Sequence, residues 1–137
     1  ELFFTDVEGK TKDEVLKNLC RKVEQEKGLP ETFTASVLKR EELTPTDYGN
    51  LVALPHPERA FQERAFVAVA VLKEPIFWFR QKVQVVFLTA IGREEDENLQ
   101  QFYEATTDLI LRPADVQNLI RHPDYDRLIQ LLRRAEE

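Results

Sequence analysis

His56 is the residue of this chain best equipped to do chemistry unaided. It stands in Pro55-His56-Pro57, where the apolar run Leu51-Val52-Ala53-Leu54 stops, and the chain's other histidine is His122. Each proline locks its own φ and biases the preceding residue towards extended backbone. Leu54 and His56 are therefore predicted to be extended, with the imidazole on a stiff arm at a strand end. Neutral imidazole is a nucleophile near pH 7, because its ordinary pKa lies close by. A pre-oriented imidazole at such a place suits group transfer. The alternative is an ordinary surface histidine in a proline-rich loop.

Rival chemistries lack their residues. The four glycines stand singly, so no phosphate-cradling or dinucleotide motif exists. Two histidines without a His-Glu-x-x-His pattern give no metal site. Ser36 lies inside a helical pattern rather than in a nucleophile elbow. Cys20 is the single cysteine, so neither a disulfide nor a cysteine-based zinc site can form within the chain. It sits in a helical pattern beside Leu16 and Leu19, as a small buried hydrophobe does. No cofactor is expected.

The elements that must hold His56 follow from periodicity. Leu2 to Val7 has strand composition, and Gly9 punctuates it. Thr11 and Glu14 form a candidate capping box ahead of Val15, Leu16, Leu19, Cys20 and Val23 at helical spacing, closed by Gly28. Pro30 opens a second predicted helix with Phe33, Val37 and Leu38 facing inward, and Thr44-Pro45-Thr46 breaks it. Tyr48-Gly49-Asn50 reads as a turn into the strand Leu51 to Leu54. Ala65 to Leu72 and Val83 to Ile91 are near-continuous apolar runs, as in strands buried on both faces. Between them Ile76-Phe77-Trp78-Phe79 reads as packing or an edge strand. From Asp96 the period turns helical through Leu99, Phe102, Thr106, Leu109 and Ile110. Two shorter helices open at Pro113 and Pro123. Two helices, several strands and three helices predict an α/β fold, a mixed β-sheet flanked by helices.

Composition narrows the function. A chain of 137 residues is expected to be one domain, and this size buries about two-thirds of its unfolded surface. The formal net charge is −6, from 25 acidic against 19 basic residues, which argues against a nucleic-acid surface. The acidic run Glu94-Glu95-Asp96-Glu97 precedes a helical pattern and suits the positive end of its dipole. No apolar run approaches a membrane span and no signal peptide is visible. A cytoplasmic domain without membrane insertion is the expectation. The absence of Met predicts a start within a longer protein, or processing.

The segment from Lys39 to Pro57 resembles the active-site segment of the fructose/mannitol-type enzyme IIA domain of the sugar phosphotransferase system. The residues carrying the likeness are Arg40-Glu41, Thr46, Gly49 and Ala53-Leu54-Pro55-His56. Lys73-Glu74-Pro75-Ile76-Phe77-Trp78 is similar to the family's Pro-Ile-x-Trp segment, and Val83 to Ile91 to the strand after it. The resemblance spans essentially the whole chain, residues 1–137. It implies the fold of that family, and that His56 accepts phosphate from phospho-histidine of the carrier HPr, with Arg40 assisting. The chemistry of the residues agrees: Arg40 can supply charge-assisted donors to phosphate oxygens, or else pair with Glu41 or Glu42. Thr46 can add a hydroxyl, or merely cap its turn. Phe61, just past Pro57, reads equally as a docking residue for HPr and as a core residue folding back under its loop.

Two departures from the family pattern carry information. Transport-type members have a second histidine early in the helix after the last long strand, and the alignment puts Asn98 there. Asn hydrogen-bonds a phosphate but holds no proton or positive charge. Leu51 stands where the family often has glycine. Asn50 to Pro57 looks closer to the IIA-like domain ending BglG/LicR-type transcriptional antiterminators and activators. That likeness implies a regulatory phosphohistidine domain cut from a longer chain, phosphotransferase-type in chemistry. The alternatives are a transport IIA component passing phosphate to a IIB cysteine, and a degenerate interaction module.

Overall fold

A computed structural model describes residues 2–134. In chain order the elements are β1 (Leu2–Phe4), α1 (Lys12–Lys27), α2 (Thr32–Leu43), β2 (Asp47–Gly49), β3 (Val52–Ala53), β4 (Phe66–Phe77), β5 (Lys82–Ala90), α3 (Glu97–Ile110), α4 (Pro113–Arg121) and α5 (Tyr125–Arg134). The strands form one mixed sheet in the order β1-β4-β5-β3-β2. β1 runs parallel to β4 and β3 parallel to β5, while β4–β5 and β2–β3 are antiparallel. The expected α/β architecture, a mixed sheet flanked by helices, is the one observed.

The apolar runs of the sequence become the central strands because both faces of the sheet are covered. Ala68, Ala70 and Leu72 of β4 and Val83, Val86 and Leu88 of β5 face a core shared with Val15, Leu16 and Leu19 of α1 and Phe33 and Val37 of α2. Val69 and Val71 of β4 and Val85 and Phe87 of β5 point the opposite way, into a core closed by Leu109 of α3, Val116 and Leu119 of α4, and Leu128 and Leu131 of α5. Period-two alternation thus feeds two cores from the same two strands. Burying one side chain of this size contributes about 1.5–3 kcal/mol.

Helix α1 begins and ends as its sequence predicts. Thr11 Oγ1 accepts a hydrogen bond from Glu14 N, and Gly28 closes the helix at φ 66°, with its N–H donating to Glu24 O. The reciprocal half of the capping box is displaced: Glu14 Oε1 accepts from Lys10 N, one residue before the cap. Cys20 is fully buried, and burial, with Glu24 nearby, pushes its thiol up, so it packs as a hydrophobe and is no nucleophile.

Several predicted strand limits are corrected. β1 stops at Phe4 rather than Val7, and the paired part of the Leu51–Leu54 run is Val52–Ala53. Tyr48-Gly49, read as a turn, belongs to the short edge strand β2. Ile76-Phe77 is the far end of β4, beyond an irregularity between Val71 and Ile76. Gln84 Nε2 crosses that irregularity, donating to Leu72 O at 2.8 Å and Lys73 O at 3.2 Å. Pro75 is tolerated there because a bulged position needs no ladder N–H.

Candidate active site around His56

The residue before His56 is fastened to the sheet. Leu51 O accepts from Gln84 N and Val85 N, and Pro55 O accepts from Thr89 N at 3.0 Å. β3 therefore follows β5 through the register Val52↔Val85 and Ala53↔Val86, and the chain leaves the sheet at its rim. Pro55 and Pro57 are both buried, while His56 between them is half-buried. Beyond Pro57, Glu58 N donates to Ser36 Oγ of α2 at 2.7 Å. The imidazole is thus held between β5 on one side and α2 on the other.

His56 Nδ1 lies 3.3 Å from Leu54 O. A carbonyl oxygen can only accept, so this contact is a hydrogen bond in the tautomer with the proton on Nδ1, which leaves the lone pair on Nε2. Nε2 is then the nucleophilic atom, on a ring whose direction the backbone sets.

The entry into β3 is a tight left-handed turn. Asn50 and Leu51 have φ of 51° and 71°. Asn accepts this conformation readily, and its Nδ2 donates to Ile110 O of α3. For Leu51 the same region costs about 1–2 kcal/mol. The position where the related family often has glycine therefore keeps glycine-like backbone here under a leucine.

Arg40 lies in the last turn of α2, one helical turn beyond Ser36 and so on the face that meets the His56 loop. Its Nη1 donates to Thr44 O at 2.8 Å. Among the described residues it forms no ion pair, so the expected alternative of a bridge to Glu41 or Glu42 is not found. Its planar fork keeps further N–H donors beyond the one used on Thr44.

Glu41 is 2 % exposed and turns inward. Its Oε2 accepts from Thr46 N at 2.6 Å and from the Trp78 indole N–H at 3.0 Å, and its Oε1 accepts from Thr46 Oγ1 at 2.7 Å. The Thr46 hydroxyl hydrogen is therefore committed to Glu41. Thr46 O in turn accepts from Leu54 N at 3.0 Å. Thr46 stands in the structure as a bracket between the end of α2 and the strand that carries His56.

Asn98 is the second residue of α3, and its N–H donates to the capping Asp96 Oδ1 at 2.9 Å. Its side chain is exposed, and no hydrogen bond among the described residues joins it to His56. His122 caps the C-terminal end of α4 and is exposed. Phe61 resolves to the core: its ring stands edge-on to Phe33 at 5.5 Å, with the Arg59 guanidinium 3.9 Å above it. Sequence reasoning missed the site roles of Ser36, Glu41 and Thr89, each of which has a partner far away in the chain: Glu58, Trp78 and Pro55. The inward charge of Glu41 had one visible signal, its position one residue past Arg40 in the family-like pair.

Comparisons with known proteins bear on the fold and the family. The family model described as phosphoenolpyruvate-dependent sugar phosphotransferase system, EIIA 2, matches residues 1–135. The probable licABCH operon regulator of Bacillus subtilis (strain 168) is 36% identical over 128 residues, covering 93% of this chain and 20% of that protein. The transcriptional regulator ManR of the same organism is 27% identical over 120 residues, covering 88% of this chain and 18% of that protein. The chain thus spans about one fifth of the length of these curated relatives. Among solved structures, the Escherichia coli complex of enzyme IIAMTL with phosphorylated enzyme IIBMTL matches with a TM-score of 0.76 at 18% identity, over 94% of this chain and 92% of that one. The nitrogen regulatory protein IIA-Ntr of Neisseria meningitidis matches with a TM-score of 0.78 at 19% identity, over 96% of this chain and 92% of that one. These structural likenesses establish the shared fold, and with the family match over nearly its full length they show that this chain belongs to the EIIA type-2 family of the sugar phosphotransferase system.

Proposed function

We propose that His56 accepts a phosphoryl group from phospho-HPr, and that the phosphorylated domain, residues 1–137, acts as a regulatory module within a longer sugar-responsive transcriptional regulator. The observation that carries the first part is the contact of His56 Nδ1 with Leu54 O between two buried prolines. In the transfer the Nε2 lone pair attacks phosphorus, an N–P bond forms, and the donor's N–P bond breaks with its electron pair returning to the donor imidazole. No proton need move in that step. Arg40, at the end of α2, spreads the negative charge of the transferring group through its remaining donors. Such chemistry asks for positioning and charge stabilisation rather than a cofactor or metal. The reading puts the domain in the cytoplasm with HPr, and it assigns neither nucleic-acid binding nor membrane insertion to this domain.

The regulatory part is supported by the two regulators among its relatives and by Asn98 at the place of a transport-type histidine. A regulator benefits from a long-lived mark of nearly two negative charges. The likeness to IIAMTL in its complex with phosphorylated IIBMTL favours a second reading, onward transfer to a IIB cysteine. The test is incubation with enzyme I, HPr and phosphoenolpyruvate, followed by addition of candidate IIB domains. Acid-labile, base-stable label on His56 that leaves slowly is expected, with Asn98→His speeding departure. Rapid transfer to IIB, unaltered by Asn98→His, overturns the regulatory part. Absence of label, or label surviving in His56→Ala, overturns the whole and leaves an interaction module.

A further inference from the structure

We infer that Glu41 is the positioning residue of this site: its buried carboxylate sets the direction and tautomer of His56 through Thr46 and Leu54. This inference rests on the reading of His56 as the phosphate acceptor. A carboxylate removed from water is costly unless its lone pairs are used. Here Oε1 takes the Thr46 hydroxyl, while Oε2 takes Thr46 N and the Trp78 indole. Three donors around a residue 2 % exposed form a complete buried network.

The network joins four parts of the chain. Glu41 belongs to α2, Thr46 to the segment after it, Trp78 to the β4–β5 turn, and Leu54 to the segment leading to His56. Next to Thr46, Asp47 Oδ2 accepts from Arg80 N at 2.8 Å and Gln81 N at 3.1 Å, and Trp78 N donates to Gln81 O. The turn from Trp78 to Gln81 is thereby clamped onto the 41–47 segment. Thr46 O then holds Leu54 N, and Leu54 O faces His56 Nδ1.

A glutamine at position 41 can keep all three bonds, its Nε2 donating to a turned Thr46 hydroxyl, so the informative change is Glu41→Leu, which removes both acceptor oxygens and leaves Thr46 N and the Trp78 indole N–H without their partner. Leu54 then loses its fixed partner, and the Nδ1–H tautomer its preference. Displacement on this scale lowers a transfer rate by about tenfold or more.

The experiment uses ¹⁵N-histidine-labelled protein and reads the His56 imidazole nitrogens by NMR, alongside the labelling rate with phospho-HPr. The indole N–H resonance of Trp78, the chain's single tryptophan, reports whether the network itself changed. In the wild type the Nδ1–H form is expected to dominate. Glu41→Leu is expected to shift the Trp78 indole signal, admit the Nε2–H form and slow labelling about tenfold. Thr46→Val serves where Glu41→Leu does not fold, and Thr46→Ser, which keeps the hydroxyl, is expected to recover most of what Thr46→Val loses. Folded variants with a lower melting temperature but unchanged tautomer and unchanged rate overturn the inference, since Glu41 is then only structural. Should the wild type take no phosphate, the functional reading fails, while the imidazole spectrum still decides whether Glu41 orients His56.

Discussion

The two histidines both precede a proline, and they could hardly be held more differently. His122 ends α4: its N–H closes the helix on Asn118 O, its neighbours are local, and its ring is in solvent. His56 is positioned by partners remote in sequence, Thr89 of β5, Ser36 of α2, and Glu41 by way of Thr46 and Leu54. The following proline restricts both histidines alike, and His56 has a second proline before it. What distinguishes them is the buried polar scaffold on either side of one and not the other. A dipeptide therefore marks a stiff chain, and the tertiary network decides whether stiffness aims a reactive atom.

That contrast can be broken in order of severity. His56→Ala should abolish phosphate incorporation from phospho-HPr in a chain that still folds, while His122→Ala should label like wild type; equal loss in both would erase the distinction. Arg40→Ala should slow labelling by about 10²–10³-fold, the effect of one lost charge-stabilising group in a transition state. Arg40→Lys should remain impaired, because an ammonium lacks the planar fork. A wild-type rate in single-turnover kinetics of either variant would remove Arg40 from the site.

Ser36→Ala probes the scaffold on the α2 side alone. It strands Glu58 N in a part-buried place and should cost about 1–3 kcal/mol in denaturant unfolding, with a smaller drop in labelling than Arg40→Ala. Unfolding curves that superimpose on wild type would mean the loop is not anchored there. His122→Gln, at an exposed helix end, should change stability by less than about 0.5 kcal/mol, and a larger loss would show that the C-cap histidine matters more than its exposure implies.

Much of this was readable from residue order. The helices announced themselves through Thr11, Gly28, Pro113 and their apolar spacing, because caps and periodicity are local properties. The two buried strands were legible as continuous apolar runs. In the sequence β4 ends at Leu72 because Lys73-Glu74-Pro75 interrupts its pattern, whereas the strand absorbs that interruption as a bulge braced by Gln84. Tyr48-Gly49 was assigned to a turn because the partner that makes it a strand, β3, is only two residues long. His56 and Arg40 were named from chemistry and resemblance. A glutamate in a charged helical stretch reads as solvated until Trp78, from the β4–β5 turn, is seen to donate to it. Phe61 could be resolved only by its neighbours, since ring size alone does not tell core from docking surface.

The parallel pairing of β3 with β5, which skips β4 in the chain, has a kinetic side. Chain-adjacent pieces, the α1–α2 pair and the β4–β5 hairpin, close short loops and can form early. The rim that carries His56 cannot: Val52 must find Val85 after β4 and β5 have already paired, and Thr89 must reach Pro55. Acceptor competence is then among the last properties the chain acquires. In pulse-labelling hydrogen exchange during refolding, the amides of Val85 and Thr89 should gain protection after those within the β4–β5 hairpin. On the proposed reading of His56 as acceptor, a chain built in this order takes up phosphate only after it has finished folding, so a phosphorylated form would be a completed one.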